Sequence, residues 1–193
     1  MAQEMAARIV QQLEDSAAIK QRIAEECLEE IVQAADILVD TYRWGRKVLL
    51  CGNGGSAADS QHIAGELVAK LTRERRALAA VALTVNSSLL TSIVNDGAWE
   101  QVFARQVEAL GQPGDVLVAI STSGRSANVN AAVRVAKERG LRTLALTGRD
   151  GGELAGLADL AIVIPSDNTQ RIQEGHITVG HILCDIVEAT LFD

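Results

Sequence analysis

Aromatic side chains are scarce in this chain. Phenylalanine, tryptophan and tyrosine together make up 3% of it, so any core has to be aliphatic. Proline occurs only at positions 113 and 165, which leaves the backbone almost free of fixed breaks. The cysteines, Cys27, Cys51 and Cys184, are odd in number and lack metal-type spacing; they read as reduced, mostly buried thiols. No stretch approaches the roughly 20 apolar residues of a membrane span. The opening MAQEMAARIVQQLEDS has neither the basic segment nor the apolar run of a signal peptide. These absences together assign the chain to the cytoplasm. Positive charge is also short, with a net charge of −7. That excludes a nucleic-acid surface, which needs clustered cations, and leaves any anionic ligand to be held by local donors.

What is present is globular. At 193 residues, with 48% hydrophobic and 22% charged side chains, the chain is expected to form one domain over 1–193 with a full core. Residues 2 to about 44 read as helical throughout, closed by Gly45. Ile19, Ile23, Cys27 and Ile31 recur at every fourth position, with Leu28, Ala35 and Leu38 widening the stripe. Ile9, Leu13, Val32 and Val39 also need cover, which either a helical subunit interface or packing on the same domain would supply. This helical segment, 1–45, precedes an α/β core over 46–193.

In that core, continuous apolar runs at 47–51, 78–83, 115–120, 142–147 and 160–165 alternate with helix candidates. The helices fall near 56–71, 87–94, 98–110, 126–139, 152–157 and 169–191. Continuous runs predict strands buried on both faces, and their alternation with helices predicts a doubly wound, five-stranded parallel sheet of flavodoxin-like type. Ligands of such sheets lie beyond the carboxyl ends of the strands. Four segments follow strand ends there: GNGGS (52–56), Asn95-Asp96-Gly97, STSGRS (121–126) and TGRDGG (147–152).

STSGRS places the hydroxyls of Ser121, Thr122, Ser123 and Ser126 around Gly124, just before a helix. Helix N-terminal amides suit a phosphate, and hydroxyls add donors without charge. A helix cap and a solvated turn would account for one serine, not for four hydroxyls in six residues. Gly52, Gly54 and Gly55 do not make GxGxxG, and no GK[ST] is present, so a small phosphorylated metabolite fits better than a nucleotide. His62 and Glu66, four apart on the helix that opens at the glycine turn, share a face. Gln173 and His181, eight apart, share a face of the last helix, although His181 among Ile177, Ile182 and Leu183 also reads as a core histidine. His176 lies off that face.

The motifs together, CGNGGSxxDxxHxxxEL, VNDG, GDVLxxISTSGxSxNV, LTGxDGG and RIQExHIxxxHIL, resemble those of the phosphoheptose isomerases, members of the sugar isomerase (SIS) fold family. The likeness covers nearly the whole chain. It implies conversion of sedoheptulose 7-phosphate to D-glycero-D-manno-heptose 7-phosphate, the first step of bacterial heptose biosynthesis for lipopolysaccharide. It further implies a zinc-containing cytoplasmic homotetramer with active sites between subunits. The resemblance puts sugar contacts on Asn53, Gly54, Gly55, Glu66, Asn95, Asp96 and Gln173, and phosphate on Ser121, Thr122, Ser123 and Ser126. It puts one zinc per subunit on His62, Glu66, Gln173 and His181, with Glu66 and His181 as the acid–base pair. The two imidazoles, carboxylate and amide oxygen suit zinc; an interfacial hydrogen-bond cluster without metal is the alternative. Some members carry aspartate where this chain has Gln170. Relatives that bind the replication initiator without catalysis lack the glutamate and the last histidine of the pattern, and this chain has both. A sensor fused to a transcription factor would need a DNA-binding segment that is not found here.

Overall fold

The computed structural model describes residues 1–193. Helices α1 (Ala2–Glu26) and α2 (Leu28–Arg43) replace the single helix expected over 2–44. The break falls at Cys27, whose φ of −124° and ψ of 5° leave the helical region. Its thiol is drawn to the carbonyl of Val163, 3.4 Å away. Ile19, Ile23, Ile31, Ala35 and Leu38 pack inward as the periodicity demands. Leu28 does not: the change of direction at Cys27 turns it outward, and it is 61% exposed. Ile9, Leu13 and Val32 are exposed, whereas Val39 finds cover within its own chain.

The α/β core follows as β1 (Val48–Gly52), α3 (Gly55–Val68), β2 (Ala80–Ala82), α4 (Ser87–Asn95), a 3₁₀ turn (Trp99–Gln101) and α5 (Ala104–Leu110). Then come β3 (Val116–Ile120), α6 (Ala127–Glu138), β4 (Arg142–Gly148), α7 (Gly152–Leu157), β5 (Leu160–Ile164) and α8 (Thr169–Phe192). The five strands are all parallel, in the order β2-β1-β3-β4-β5. The chain steps outward from β1 to β2 and then returns to β3 on the other side, so the winding reverses between β1 and β3. A crevice opens there at the carboxyl edge.

Strand side chains alternate between two cores. Val48 and Leu50 face the layer of α1, α2, α3 and α8; Leu49 and Cys51 face the layer of α5, α6 and α7. All three cysteines are free and buried, and burial pushes the Cys51 thiol up to about 12. Only β1 and β3 are buried at every position: β4 opens on the exposed Arg142, and β2 and β5 are edge strands that keep partly exposed residues. The helix expected over 98–110 is interrupted where Val102 and Phe103 turn into the core. No helix is long and apolar enough to cross a membrane.

Helix α3 ends at Val68, three residues short of the expected boundary, for a reason distant in sequence. The backbone N–H groups of Leu71, Thr72 and Arg73 donate to the Glu188 carboxylate of α8 at 3.0, 2.8 and 2.6 Å instead of continuing the helix. The Thr72 hydroxyl and Arg75 Nε complete the set at 3.0 and 2.8 Å. Arg75 and Glu188 are both buried, at 1% and 0% side-chain exposure. Burial alone would raise the Glu188 carboxyl; these donors outweigh it and hold the group at about 2, against an ordinary 4.5.

A carboxyl that ionises more readily when folded stabilises the fold above its unfolded pKa and loses that contribution as pH falls through the folded one. The stability difference between the parent and Glu188→Gln should therefore be largest above about pH 5 and shrink between pH 4.5 and 2. Denaturant titration at several pH values measures it; a difference independent of pH would show that Glu188 is not the anion these donors hold.

Candidate active site

The third strand releases the chain into STSGRS. Ser121 is buried there, and Thr122, Ser123 and Ser126 are partly so. The hydroxyls of Ser121 and Ser126 meet at 3.0 Å, and Ser123 Oγ accepts the N–H of Arg125 at 3.2 Å. Ser126 occupies the N-cap position of α6, yet its hydroxyl does not cap the helix. The first amides of α6 are thus left without a side-chain acceptor, as an anion-binding turn requires.

The turn is braced from behind by TGRDGG. Gly124, with φ of +63°, lies so close to that segment that a Cβ would come within 1.9 Å of Gly151 O. Leu154 N donates to Gly124 O at 2.9 Å, and the Arg125 guanidinium grips Asp150 through two bonds of 2.9 and 2.6 Å. Arg125, with help from the N–H of Gly152, holds the Asp150 carboxyl down at about 2. The segment after β4 is therefore a buttress for the segment after β3.

Across the crevice, Asn53 and Asn128 exchange two amide hydrogen bonds of 2.9 Å, joining the end of β1 to the first turn of α6. Gly54 is the N-cap of α3. Gly55 lies under Gln173, where a Cβ would fall 2.3 Å from Gln173 Nε2. The absence of a side chain at 55 is what lets the Gln173 amide enter the crevice.

Helices α3 and α8 cross beside this point and bring three predicted residues together. His62 Nε2 is 2.9 Å from His181 Nε2 and 3.3 Å from Glu66 Oε1. One ligand atom from each of the three lies within 4.8 Å of the others. Tetrahedral zinc with bonds of about 2.0–2.1 Å spaces its ligand atoms roughly 3.3 Å apart, so this donor set fits that ion. Gln173 stands about 12 Å along α8 from His181, given the helical rise of 1.5 Å per residue, and the structure places its amide at Gly55. Asn95 and Asp96 stand exposed at the C-terminal end of α4.

His181 is half-buried at the cluster. The core histidine of α8 is His176: fully buried, with Nε2 3.0 Å from Thr147 O. A carbonyl only accepts, so this nitrogen carries the proton, and burial pushes the imidazole down to about 4. Two residues emerge that sequence reasoning had not assigned. Asn128 orients Asn53, and its signal is the asparagine within STSGxSxN. Asp59, one turn before His62 on α3, keeps Oδ2 buried without a partner. Burial raises its carboxyl, while nearby His62 acts in the opposite direction. The spacing Asp-x-x-His-x-x-x-Glu carried that signal.

The chain is similar to known proteins over nearly its whole length. A family model described as the SIS domain matches residues 11–148. The phosphoheptose isomerase of Roseiflexus sp. (strain RS-1) is 54% identical over 185 residues, covering 96% of this chain and 94% of that one. The solved structure of phosphoheptose isomerase GmhA from Neisseria gonorrhoeae superposes with a TM-score of 0.91 at 45% identity, covering 96% of this chain and 99% of that one. A phosphoheptose isomerase from Francisella tularensis gives 0.92 at 38% identity, with coverage of 96% and 98%.

The contact between the two loops can be broken at one atom. Gly124→Ala should destabilise the protein by about 2 kcal/mol or more, through left-handed strain and collision with Gly151. Thermal unfolding reads this directly, and a variant as stable as its parent would mean that the loops do not touch.

Proposed function

The chain belongs to the SIS-domain phosphoheptose isomerases, and from that premise we propose how its residues carry the reaction. It is an aldose–ketose isomerase that converts sedoheptulose 7-phosphate to D-glycero-D-manno-heptose 7-phosphate in heptose biosynthesis. The observation that supports the assignment of roles is the meeting of His62, Glu66 and His181 where α3 and α8 cross.

Interconverting the two sugars moves hydrogen between neighbouring carbons. Glu66, 21% exposed, is the base that takes the proton from C1 of the ketose. The electron pair left behind forms the C1–C2 double bond, and the carbonyl oxygen on C2 takes a proton from His181. The resulting enediol collapses in the other sense: the C1 hydroxyl returns a proton to His181 as the C1 carbonyl forms, and the electron pair of the double bond takes up at C2 the proton held by Glu66. Ser121, Thr122, Ser123, Ser126 and the first turn of α6 hold the phosphate, and Asn53, Gly54, Gly55 and Gln173 line the sugar. Asn95 and Asp96 complete the contacts from α4. Anchoring the far end of the substrate presents C1 and C2 to Glu66 as an intramolecular reaction would.

His62, Glu66 and His181 would hold zinc, while Gln173, two turns away along α8 with its amide at Gly55, would stay with the sugar contacts. When bound, the ion supplies Lewis-acid polarisation of a substrate oxygen. The protein is a cytoplasmic homotetramer whose product feeds lipopolysaccharide synthesis. Support for assembly comes from the first half of α1, where Met5, Ile9, Val10 and Leu13 are 52–66% exposed. Covering them requires a second chain.

Glu66→Gln should lower turnover of sedoheptulose 7-phosphate by roughly 10²–10⁴-fold, as expected when a positioned base is removed. Following aldose formation tests this, and near-parental turnover would dismiss Glu66 as the base. Elemental analysis of protein purified without a histidine tag should find about one zinc per chain, and His181→Ala should abolish its retention. Metal-free protein with full activity would end the zinc assignment.

A further inference from the structure

The last turn of α3 contains Glu66, and a helix's last turn is where backbone carbonyls lose their intrahelical partners. Here an arginine supplies the missing donors. Arg75 Nη2 donates to the carbonyl of Glu66 at 2.8 Å, and Nη1 donates to that of Leu67 at 3.0 Å. The same guanidinium binds Glu188 through Nε. Glu188 lies seven residues beyond His181 on α8, and two helical turns place both on one face. One side chain therefore joins the backbone beneath Glu66 to the helix that delivers His181.

We infer that Arg75, paired with Glu188, is a positioning residue for proton transfer: its forked contacts set the register of α3 against α8, and so the approach of Glu66 to His181 and the substrate carbon. This rests on the reading of Glu66 as the base. A buried ion pair adds little net stability over a well-packed apolar pair, because desolvation offsets the attraction. Direction is what it adds. Glu188 accepts five bonds, two of Arg75's three donor nitrogens are fixed on carbonyls of α3, and the third is fixed on α8. Lysine could keep the charge but cannot span three acceptors in a planar fork.

The test uses the full-length protein and compares Arg75→Lys, Glu66→Gln and the double variant, measuring kcat and KM for sedoheptulose 7-phosphate together with thermal unfolding. Arg75→Lys should unfold cooperatively, keep KM within about twofold and lose roughly 10–100-fold in kcat, the effect of a small misplacement of the reacting group. In the Glu66→Gln background the same change should alter the residual kcat by less than about threefold, because the group to be positioned is already disabled. An equal loss in both backgrounds, or an unchanged kcat, would overturn the inference. If Glu66→Gln by itself retains parental turnover, the base assignment fails and the positioning role falls with it, a result read from a different variant. Should Arg75→Lys be insoluble, Arg75→Met/Glu188→Met replaces the pair without leaving a buried charge and carries the same expectation. Parental kcat in that protein would refute the role.

Discussion

All strands of the sheet run in one direction, and the site follows from that. A parallel sheet delivers every strand's carboxyl end to one edge, so the loops after β1, β3 and β4 are neighbours whatever their separation in sequence. Reversal of the winding between β1 and β3 opens the space into which Asn53 and the serine-rich turn both face. With the loops fixed there, α3 and α8 need only cross on the same layer to bring a carboxylate and two imidazoles together. The acidic character of the chain is then no obstacle to binding an anion. On the proposed function the donors would be amides and hydroxyls within hydrogen-bond reach, where orientation outweighs the field of distant carboxylates.

The features legible from sequence are those written in local pattern. Each β-strand is a continuous aliphatic run, and each appears in the structure within a few residues of its expected bounds. The His62–Glu66 pair was legible because spacing on a helix is a geometric statement, the serine-rich turn because four hydroxyls fall in six residues, and His181 only through the family resemblance, since its own neighbours also suit a core histidine. What escaped depended on partners far along the chain. Cys27 breaks a helix without glycine or proline because its surroundings include the carbonyl of Val163. Helix α3 stops early because amides at 71–73 meet a carboxylate more than a hundred residues away. Gln173 shares a helical face with His181, yet two turns of rise separate them, a distance that a helical-wheel argument conceals. Asn128 stands in the STSGxSxN pattern, but its role became visible only with its partner Asn53.

Charge in this fold is used most sparingly where it matters most to geometry. The exposed pairs, such as Arg105 with Glu108, are individually worth little in water. The buried guanidinium and carboxylate of the α3–α8 junction sit at the opposite extreme, since each lone pair or N–H there that lacked a partner would be penalised by desolvation. Such a junction tolerates few alternative arrangements, which suits a site where atoms must be held to fractions of an ångström.

The three thiols add a practical consequence. Cys27 lies at the α1–α2 break, Cys51 at the threshold of the glycine turn, and Cys184 between His181 and Glu188 on α8. Burial pushes the last two up to about 12 and raises the first, so none is nucleophilic while its surroundings stay closed. Alkylation of each can then proceed only through local opening, at a rate set by the frequency of that opening. The chain thus carries three built-in clocks, one on its helical arm, one at the mouth of the crevice and one inside the helix crossing, each timing a different fluctuation of the native state.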